Sequence, residues 1–265
     1  MKINSIEAKS QDERADQLTK LHVKGDPVIV FNIWDAGSAK ALQEIGVKVI
    51  ATGSWSVAAA YGCDDGEKLP FNAAMENLER IVASVDLPVT IDLEGGYAES
   101  PAQLRENITR VIQAGAVGIN FEDQVMNGDG LYSIADQVAR IKALREAATA
   151  ASISLFINAR TDLFLQSDPA AHLDHLESAI ERSVAYAEAG ASGFFAPGMS
   201  GVKQIEQLCG RSPLPVNIMM MPGVPTPTEL AGLGVARISY GPIPYRVVLD
   251  ALEKAGRAAL SSSQL

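Results

Sequence analysis

Eight short apolar runs alternate along the chain with stretches of helical character, and this alternation restricts the possible folds more than any other feature. Such runs, rich in Val, Ile and Leu and without regular polar alternation, are typical of parallel strands buried on both faces. The predicted strands span residues 28–33, 47–52, 88–93, 117–121, 154–159, 193–196, 216–220 and 236–240. Eight strand-then-helix units predict an α/β protein with a TIM-type (β/α)₈ barrel of eight parallel strands.

One barrel would account for the whole sequence. The chain has 265 residues, 47% of them hydrophobic, which is enough for one large core in a single domain over residues 1–265. A helix on a polar surface is expected over residues 1–24. Further helices are expected over residues 39–45, 72–85, 101–113, 133–150, 173–189 and 245–260. A doubly wound open sheet is the alternative, but no Gly-x-Gly-x-x-Gly motif follows the first run.

Charge and cysteine content limit the partners and the compartment. The formal net charge is −10 and no run of Lys or Arg occurs, which argues against nucleic acid and anionic membranes as partners. The two cysteines, Cys63 and Cys209, indicate no disulfide framework and fit a reducing compartment. The polar residues 2–24 do not resemble a signal peptide, and no apolar run reaches the roughly 18 residues of a membrane span. We therefore expect a cytoplasmic protein.

Three acidic residues follow two neighbouring strands at the point where each strand ends. Asp92 and Glu94 close the third run, and Glu122 closes the fourth. An unpaired charge in the core is costly, so these carboxylates should lie at the strand ends, where two parallel strands bring them together. Clustered carboxylates repel one another and must share protons or bind a cation. With no His or Cys beside them, Mg²⁺ is the expected cation.

Other polar residues at strand ends suit an oxo acid. Arg160 follows the fifth strand and has a planar fork that matches a carboxylate. Gly53 and Ser54 follow the second strand and could hold an oxyanion through N–H groups and a hydroxyl. Asn217 lies in the seventh strand as a further candidate contact. Together with Mg²⁺, this set predicts a site for a 2-oxo acid, whose carboxylate and keto oxygens the metal would chelate.

Five segments in order resemble the isocitrate lyase/phosphoenolpyruvate mutase superfamily. The family's Asp-x-Asp-x-Gly-Tyr appears as residues 92–97, its Glu-Asp pair as Glu122-Asp123, and its Ala-Arg-Thr-Asp as residues 159–162. The turn at Thr52-Gly53-Ser54 resembles the family's oxyanion-binding turn, and Asp65 resembles its active-site aspartate. The resemblance extends over nearly the whole chain.

The resemblance implies a Mg²⁺-dependent enzyme, with Mn²⁺ as a substitute, that makes or breaks a C–C or P–C bond beside a 2-oxo carboxylate through an enolate. It implies that Asp92 binds the metal directly and that Glu94 and Glu122 act largely through water. It also implies substrate contacts from Thr52, Gly53 and Ser54. The family forms homodimers and homotetramers, often exchanging the last helix, although the tail of this chain is short.

Two departures from the family narrow the function. Glu94 stands where the family has aspartate, and the loop at residues 124–131 has no Cys, Lys or His. The family's lyases use a Cys there and its mutases a Lys. Decarboxylation or hydrolytic cleavage of an oxaloacetate-like acid needs least from this loop, and Asp65 is then the candidate general base. The alternatives are phosphonopyruvate hydrolase or mutase chemistry, and a non-catalytic barrel that binds an oxo acid.

Three of these residues also have simpler explanations. Arg160 could form an ion pair with Asp162 or Asp123 that shapes the rim of the barrel. Asp65 could be a turn residue in Asp-Asp-Gly. Ser54 could cap a helix.

Overall fold

The computed structural model describes residues 9–262. Its eight strands are all parallel, and each pairs with its neighbour in the order β1-β8-β7-β6-β5-β4-β3-β2. The strands are β1 (Val28–Val30), β2 (Ile50–Ala51), β3 (Val89–Asp92), β4 (Gly118–Glu122), β5 (Phe156–Arg160), β6 (Gly193–Phe195), β7 (Val216–Met219) and β8 (Arg237–Ser239). The TIM-type barrel is therefore confirmed, with strands shorter than the apolar runs that predicted them.

The barrel closes just beyond the ends of β1 and β2. Ile33 and Thr52 form a parallel bridge there. The Ile33 N–H donates to the carbonyl of Ala51 at 2.8 Å, and the Gly53 N–H donates to the carbonyl of Ile33 at 3.2 Å. This closure fixes the backbone of the turn after β2 relative to β1.

Ten α-helices surround the barrel in the described range. They are α1 (Gln11–Lys20), α2 (Ala36–Glu44), α3 (Ser54–Ala60), α4 (Phe71–Ser84), α5 (Pro101–Gln113), α6 (Ile134–Ala150), α7 (Leu176–Glu188), α8 (Val202–Arg211), α9 (Pro227–Gly232) and α10 (Ile243–Ser262). The sequence analysis missed α3, α8 and α9. A signal for α9 was available, because Thr226 and Glu229 form a capping box with Pro227 at the first helical position.

The N-terminal helix is shorter than predicted, and one of its faces is buried against the barrel. It covers Gln11–Lys20, and residues 1–8 of the predicted helix lie outside the described range. Ala15 and Leu18 are fully buried in one cluster with Phe156. Gly118 in β4 leaves room for this contact, since a Cβ there would lie 2.6 Å from Leu18 Cδ2. The helix therefore covers the N-terminal end of the barrel, and only its other face is a polar surface.

The last helix, in contrast, leaves the barrel. All of α10 from residue 246 to residue 261 is exposed, including Val247 at 57% and Leu252 at 66%. The outer face of β1 is also uncovered, with Ile29 44% and Phe31 37% exposed. Among residues 9–262, no helix is both long and apolar enough to span a membrane.

Candidate active site

A cavity of about 150 Å³ opens at the C-terminal ends of the strands. Five of the predicted residues line it: Gly53, Ser54, Asp65, Asp92 and Arg160. Thr52 and Glu94 line a smaller cavity beside it, which Asp92 and Ser54 share. Pockets for drug-sized ligands usually measure 300–1,000 Å³, so the main cavity suits a small molecule.

Asp92 is held from two sides by the turn after β2. Its Oδ2 accepts the N–H of Ser54 at 3.1 Å, and its own N–H donates to Thr52 Oγ1 at 2.9 Å. The Thr52 hydroxyl and the Ser54 N–H, both expected to contact substrate, are therefore engaged in holding Asp92. Helix α3 begins at Ser54 with Gly53 as its N-cap, so Ser54 itself is not the cap. The other carboxylate oxygen, Asp92 Oδ1, is buried without a hydrogen-bond partner.

Glu94 turns toward the loop between α3 and α4. Its backbone is left-handed with a φ of 52°, and its Oε2 accepts the N–H of Glu67 at 2.7 Å. The Tyr97 hydroxyl donates to Oε1 at 3.4 Å. Burial raises the pKa of Glu94 to about 7, with the charges of Asp65 and Asp92 adding to the effect. The extra methylene of Glu94 is therefore used to reach a neighbouring loop.

Glu122, the last residue of β4, points to Arg160, the last residue of β5. Glu122 Oε2 lies 2.7 Å from Arg160 Nη1, and only 3% of Glu122 is exposed. Burial raises the pKa of Glu122 well above its usual range, while Arg160 opposes this shift and Asp162 adds to it. Glu122 and Arg160 are register partners on adjacent strands, which explains why they meet.

Arg160 is less free than a substrate-binding arginine was expected to be. Its Nη2 and Nε donate to Asp162 Oδ1 at 2.6 Å and 3.0 Å, in addition to the contact with Glu122. Burial acts to lower its pKa, but Asp162 and Glu122 raise it well above the usual range, so the guanidinium is charged. The ion pair with Asp162 is thus present, and Asp123 takes no part in it. Arg160 nevertheless lines the cavity.

Asp123 faces away from the cavity, in the opposite direction to Glu122. Its Oδ2 accepts from Arg182 Nη1 and from the Tyr186 hydroxyl, each at 2.9 Å, and its Oδ1 accepts the N–H of Asp162 at 3.0 Å. The residue is completely buried. Of the Glu-Asp pair, Glu122 is therefore a site residue, whereas Asp123 fixes the wall behind the site.

Asp65 lines the same cavity as Asp92. The residue is exposed at the mouth, and the Ser54 side chain and the Gly66 N–H act to lower the pKa of its carboxyl group. Partial burial raises its pKa, the charge of Asp92 adds to this shift, and Arg160 opposes it. Asp65 therefore belongs to the Asp-Asp-Gly turn and also lines the candidate site.

Asn217, a predicted substrate contact, is not brought to the cavity. It is buried and its side-chain amide donates to Ser239 Oγ at 3.0 Å. Ser239 lines the cavity. The side chain of Asn217 points inward from the middle of β7, below the strand end, and this depth could not be inferred from the sequence.

Asn32 is a site residue that the sequence analysis missed. It lines the cavity; its Nδ2 donates to the carbonyl of Thr52 at 2.9 Å, and its Oδ1 accepts the N–H groups of Tyr240 and Gly241 at 3.0 Å and 2.9 Å. It thus ties the ends of β1, β2 and β8 together. The sequence indicated it only as a single polar amide residue inside an apolar run. Five apolar residues that line the cavity were also not predicted: Trp55, Phe195, Pro197, Met219 and Pro242.

The loop after β4 folds as a small hairpin. Gln124 and Leu131 form an antiparallel bridge, and the Val125 N–H donates to the carbonyl of Gly130 at 3.0 Å. Met126 packs over Gly95, where a Cβ would lie 2.9 Å from Met126 Cγ. The hairpin therefore rests on the turn after β3.

The carboxylates suit a hard cation held partly through water. Asp92 Oδ1 is a buried acceptor without a donor. Burial raises the pKa values of Asp65, Glu94 and Glu122, and the charges of neighbouring carboxylates add a repulsion that a cation would relieve. Among the described residues, however, no three Asp, Glu, His or Cys side chains are grouped closely enough to bind one ion directly. The geometry therefore does not support direct ligation by Asp92, Glu94 and Glu122 together. Mg²⁺ usually keeps several waters, which fits this arrangement.

Comparison with known proteins places the chain in a family. The model of the phosphoenolpyruvate phosphomutase family matches residues 18–260. An uncharacterized protein of Mycobacterium tuberculosis is 33% identical over 245 residues, covering 92% of this chain and 89% of that protein. Other curated relatives, 26–28% identical, are 2-methylisocitrate lyases and oxaloacetate decarboxylases.

Solved structures agree with this placement. A Burkholderia cenocepacia J2315 protein, provisionally described as a phosphonomutase, is 44% identical with a TM-score of 0.92 over 94% of this chain and 100% of that one. A phosphonopyruvate hydrolase in complex with oxalate and Mg²⁺ has a TM-score of 0.84 at 20% identity, over 94% of this chain and 88% of the hydrolase. The second similarity concerns the fold alone.

Proposed function

Because the chain belongs to the phosphoenolpyruvate mutase/isocitrate lyase superfamily, we propose that it is a Mg²⁺-dependent enzyme that cleaves a C–C bond beside a 2-oxo carboxylate. Members of this superfamily are Mg²⁺-dependent enzymes that cleave C–C or P–C bonds of 2-oxo acids. The proposal for this chain rests on one observation. Asp65 and Asp92 face one small cavity at the strand ends, and Arg160 lines it as well.

Each charged residue has a distinct proposed role. Asp92 would bind Mg²⁺ through its free oxygen, and Glu94 and Glu122 would contact the ion through water. When bound, Mg²⁺ would hold the carboxylate and keto oxygens of the substrate and stabilise negative charge on the keto oxygen, and Mn²⁺ could replace it. Arg160 would orient the substrate carboxylate with the edge that Asp162 and Glu122 leave open. Asp65, with its raised pKa, would transfer a proton at the reacting carbon or position a water.

An oxaloacetate-like substrate fits the cavity better than a phosphonate. Arg160 is the only cationic residue among those lining the cavity, and it already contacts two carboxylates. A phosphoryl group in transfer needs cationic stabilisation, and the loop after β4 supplies no Lys, Arg or His. The apolar side chains of Trp55 and Phe195 also line the cavity. A carboxylate that leaves as neutral CO₂ needs no second cation.

Pyruvate release tests the proposal. Purified protein would be incubated with oxaloacetate, phosphonopyruvate, 2-methylisocitrate or a dimethylmalate, with Mg²⁺ or with a chelator, and pyruvate would be read through a coupled reductase. We expect Mg²⁺-dependent release from oxaloacetate above the spontaneous rate, which a heat-inactivated sample measures. Release from phosphonopyruvate alone would replace this proposal with phosphonate hydrolysis.

A non-catalytic barrel is the second candidate, because no three carboxylates converge on one direct metal site among the described residues. Such a protein would bind an oxo acid without turnover. Calorimetry with oxalate and Mg²⁺ would distinguish the two. Tight binding together with no turnover across the substrate panel would favour the non-catalytic function.

A further inference from the structure

Three strained residues meet beside the site. In the described part of the chain, four residues other than glycine have a left-handed backbone, and three of them are Glu67, Glu94 and Tyr97, with φ of 60°, 52° and 54°. The left-handed conformation is unfavourable for an L-residue with a Cβ, so it persists only where the surroundings fix it. The three residues are in contact through hydrogen bonds, which suggests that they are fixed as one unit.

Glu67 is at the centre of this unit. Its carboxylate accepts the N–H of Tyr97 at 2.6 Å. Its own N–H donates to Glu94 Oε2 at 2.7 Å. A single residue of the loop between α3 and α4 therefore satisfies one backbone donor and one carboxylate of the turn after β3. Charge-assisted bonds of this kind are roughly twice as strong as neutral ones.

The turn that Glu67 contacts, residues 94–99, is rigid for independent reasons. Buried Arg140 donates to its carbonyl groups at Gly95, Ala98 and Glu99, at 2.6 Å, 3.1 Å and 3.2 Å. A further side chain, that of Asn107, donates to the carbonyl groups of Gly96 and Tyr97 at 2.9 Å and 3.3 Å. The turn is therefore a fixed platform, and a loop bonded to it takes its position from it.

We propose that Glu67 is a positioning residue, which docks the loop of residues 61–70 on the turn of residues 94–99 and thereby places Asp65 over the cavity. Asp65 lies only two residues before Glu67, which links this loop to the turn through one donated and one accepted hydrogen bond. The role of Asp65 in turnover rests on the proposed function, whereas the docking itself does not. Displacement of a reacting group by about 1 Å can reduce the rate by 10²-fold.

Hydrogen exchange followed by mass spectrometry tests the docking without any activity. In Glu67→Ala we expect the amides of the segment 94–99 to exchange at least tenfold faster, because the Tyr97 N–H group loses its acceptor and the turn loses its contact with the loop. Glu67→Gly relieves the backbone strain and should show the same increase, even if Glu67→Ala folds poorly. Asp64→Ala, which removes an exposed carboxylate from the same loop, should exchange like the wild type. Unchanged exchange in both Glu67 variants would overturn the proposal.

Kinetics test the positioning of Asp65. We expect kcat of Glu67→Gly to fall by about ten- to hundredfold, although the Thr52 and Ser54 contacts of Asp92 are untouched. The double variant with Asp65→Asn should be no slower than Asp65→Asn alone. Full kcat in Glu67→Gly, or additive losses, would overturn the positioning role. If the wild type turns over none of the panel, the proposed function fails and the exchange experiment still decides the docking.

Discussion

Each carboxylate of the site has a donor on one side and other carboxylates on the opposite side. Asp92 accepts the Ser54 N–H and Glu94 accepts the Glu67 N–H, and these contacts fix the side chains in place. Burial raises the pKa values of Glu94 and Glu122, and repulsion from the neighbouring carboxylates adds to both shifts. A group of like charges held together in this way is poised to bind a cation. Three predictions at the level of single residues follow from this arrangement.

Changing Asp92 to Asn keeps the shape of the side chain and removes the charge that faces the metal. We expect Mg²⁺-dependent turnover to fall by at least about 10²-fold, with Tm close to that of the wild type because Asn retains an acceptor for the Ser54 N–H. Steady-state kinetics across Mg²⁺ concentrations, with circular dichroism as the folding control, would measure both. Undiminished activity would remove Asp92 from the metal site.

Changing Arg160 to Lys keeps the charge but loses the fork that contacts Glu122 and Asp162 together. We expect kcat/KM to fall about tenfold or more, because a point charge cannot hold both carboxylates and also orient a substrate. The exposed pair of Arg257 and Glu253 provides the control, and Arg257→Lys should leave kcat/KM unchanged. Wild-type kinetics in Arg160→Lys would reject a role in substrate binding.

The pH dependence of stability reports on Glu94. Its pKa is about 7 in the folded protein against an ordinary 4.5, so the folded state binds the proton more tightly than the unfolded state. Stability of the metal-free protein should therefore decrease as pH rises from about 4.5 to 7 and level off above, by a few kcal/mol at most. Thermal melting with a chelator would show this, and Glu94→Gln should have a shallower slope.

The exposed Glu99 on the same turn provides the control for this experiment, since Glu99→Gln should melt with the wild-type slope. Added Mg²⁺ should raise Tm most at high pH, where Glu94 is ionised and free to interact with the ion. A slope identical in wild type and Glu94→Gln would show that Glu94 does not titrate in this range.

At the scale of elements, the ends of β4 and β5 are joined by Asp123. Its carboxylate accepts from α7, through Arg182 and Tyr186, and from the Asp162 N–H after β5. The end of β4, the turn after β5 and helix α7 are therefore all joined to the fully buried carboxylate of Asp123. This arrangement holds Glu122 and Arg160 at the cavity, since each lies one or two residues from these bonds.

Changing Asp123 to Asn should destabilise the protein by about 3–5 kcal/mol, because Arg182 would keep a buried charge without its partner. Urea unfolding followed by fluorescence would measure the free energy of unfolding. The exposed ion pair of Glu76 and Arg80 offers the control, and Glu76→Gln should cost less than about 1 kcal/mol. A loss equally small in Asp123→Asn would show that the pair contributes little.

At the scale of the whole molecule, two apolar surfaces lack cover. One is α10, with Val247, Val248 and Leu252 exposed, and the other is the outer face of β1 at Ile29 and Phe31. A groove of about 480 Å³ lies between α2 and the start of α10. Exposed apolar surfaces of this kind usually mark an interface.

We therefore expect a homodimer or homotetramer in which α10 packs against a second copy. Light scattering coupled to gel filtration would measure the molar mass, and Val248→Asp should shift it toward the monomer by placing a charge in the interface. Arg257→Asp, on the face of the same helix opposite Val248, should leave the mass unchanged. A monomeric wild type would contradict the expectation and leave α10 unexplained.

The sequence by itself determined the barrel and the types of residue at its mouth. Buried parallel strands must be continuous apolar runs, and charges cannot remain inside them, so the positions of Asp92, Glu122 and Arg160 in the sequence were enough to assign them to strand ends. Only the tertiary structure decided how those side chains share their bonds. Thr52 accepts the N–H of Asp92, and Arg160 pairs with two carboxylates. Glu67 accepts an N–H from the turn after β3. Such contacts depend on distances between residues far apart in the chain, which local sequence patterns do not encode.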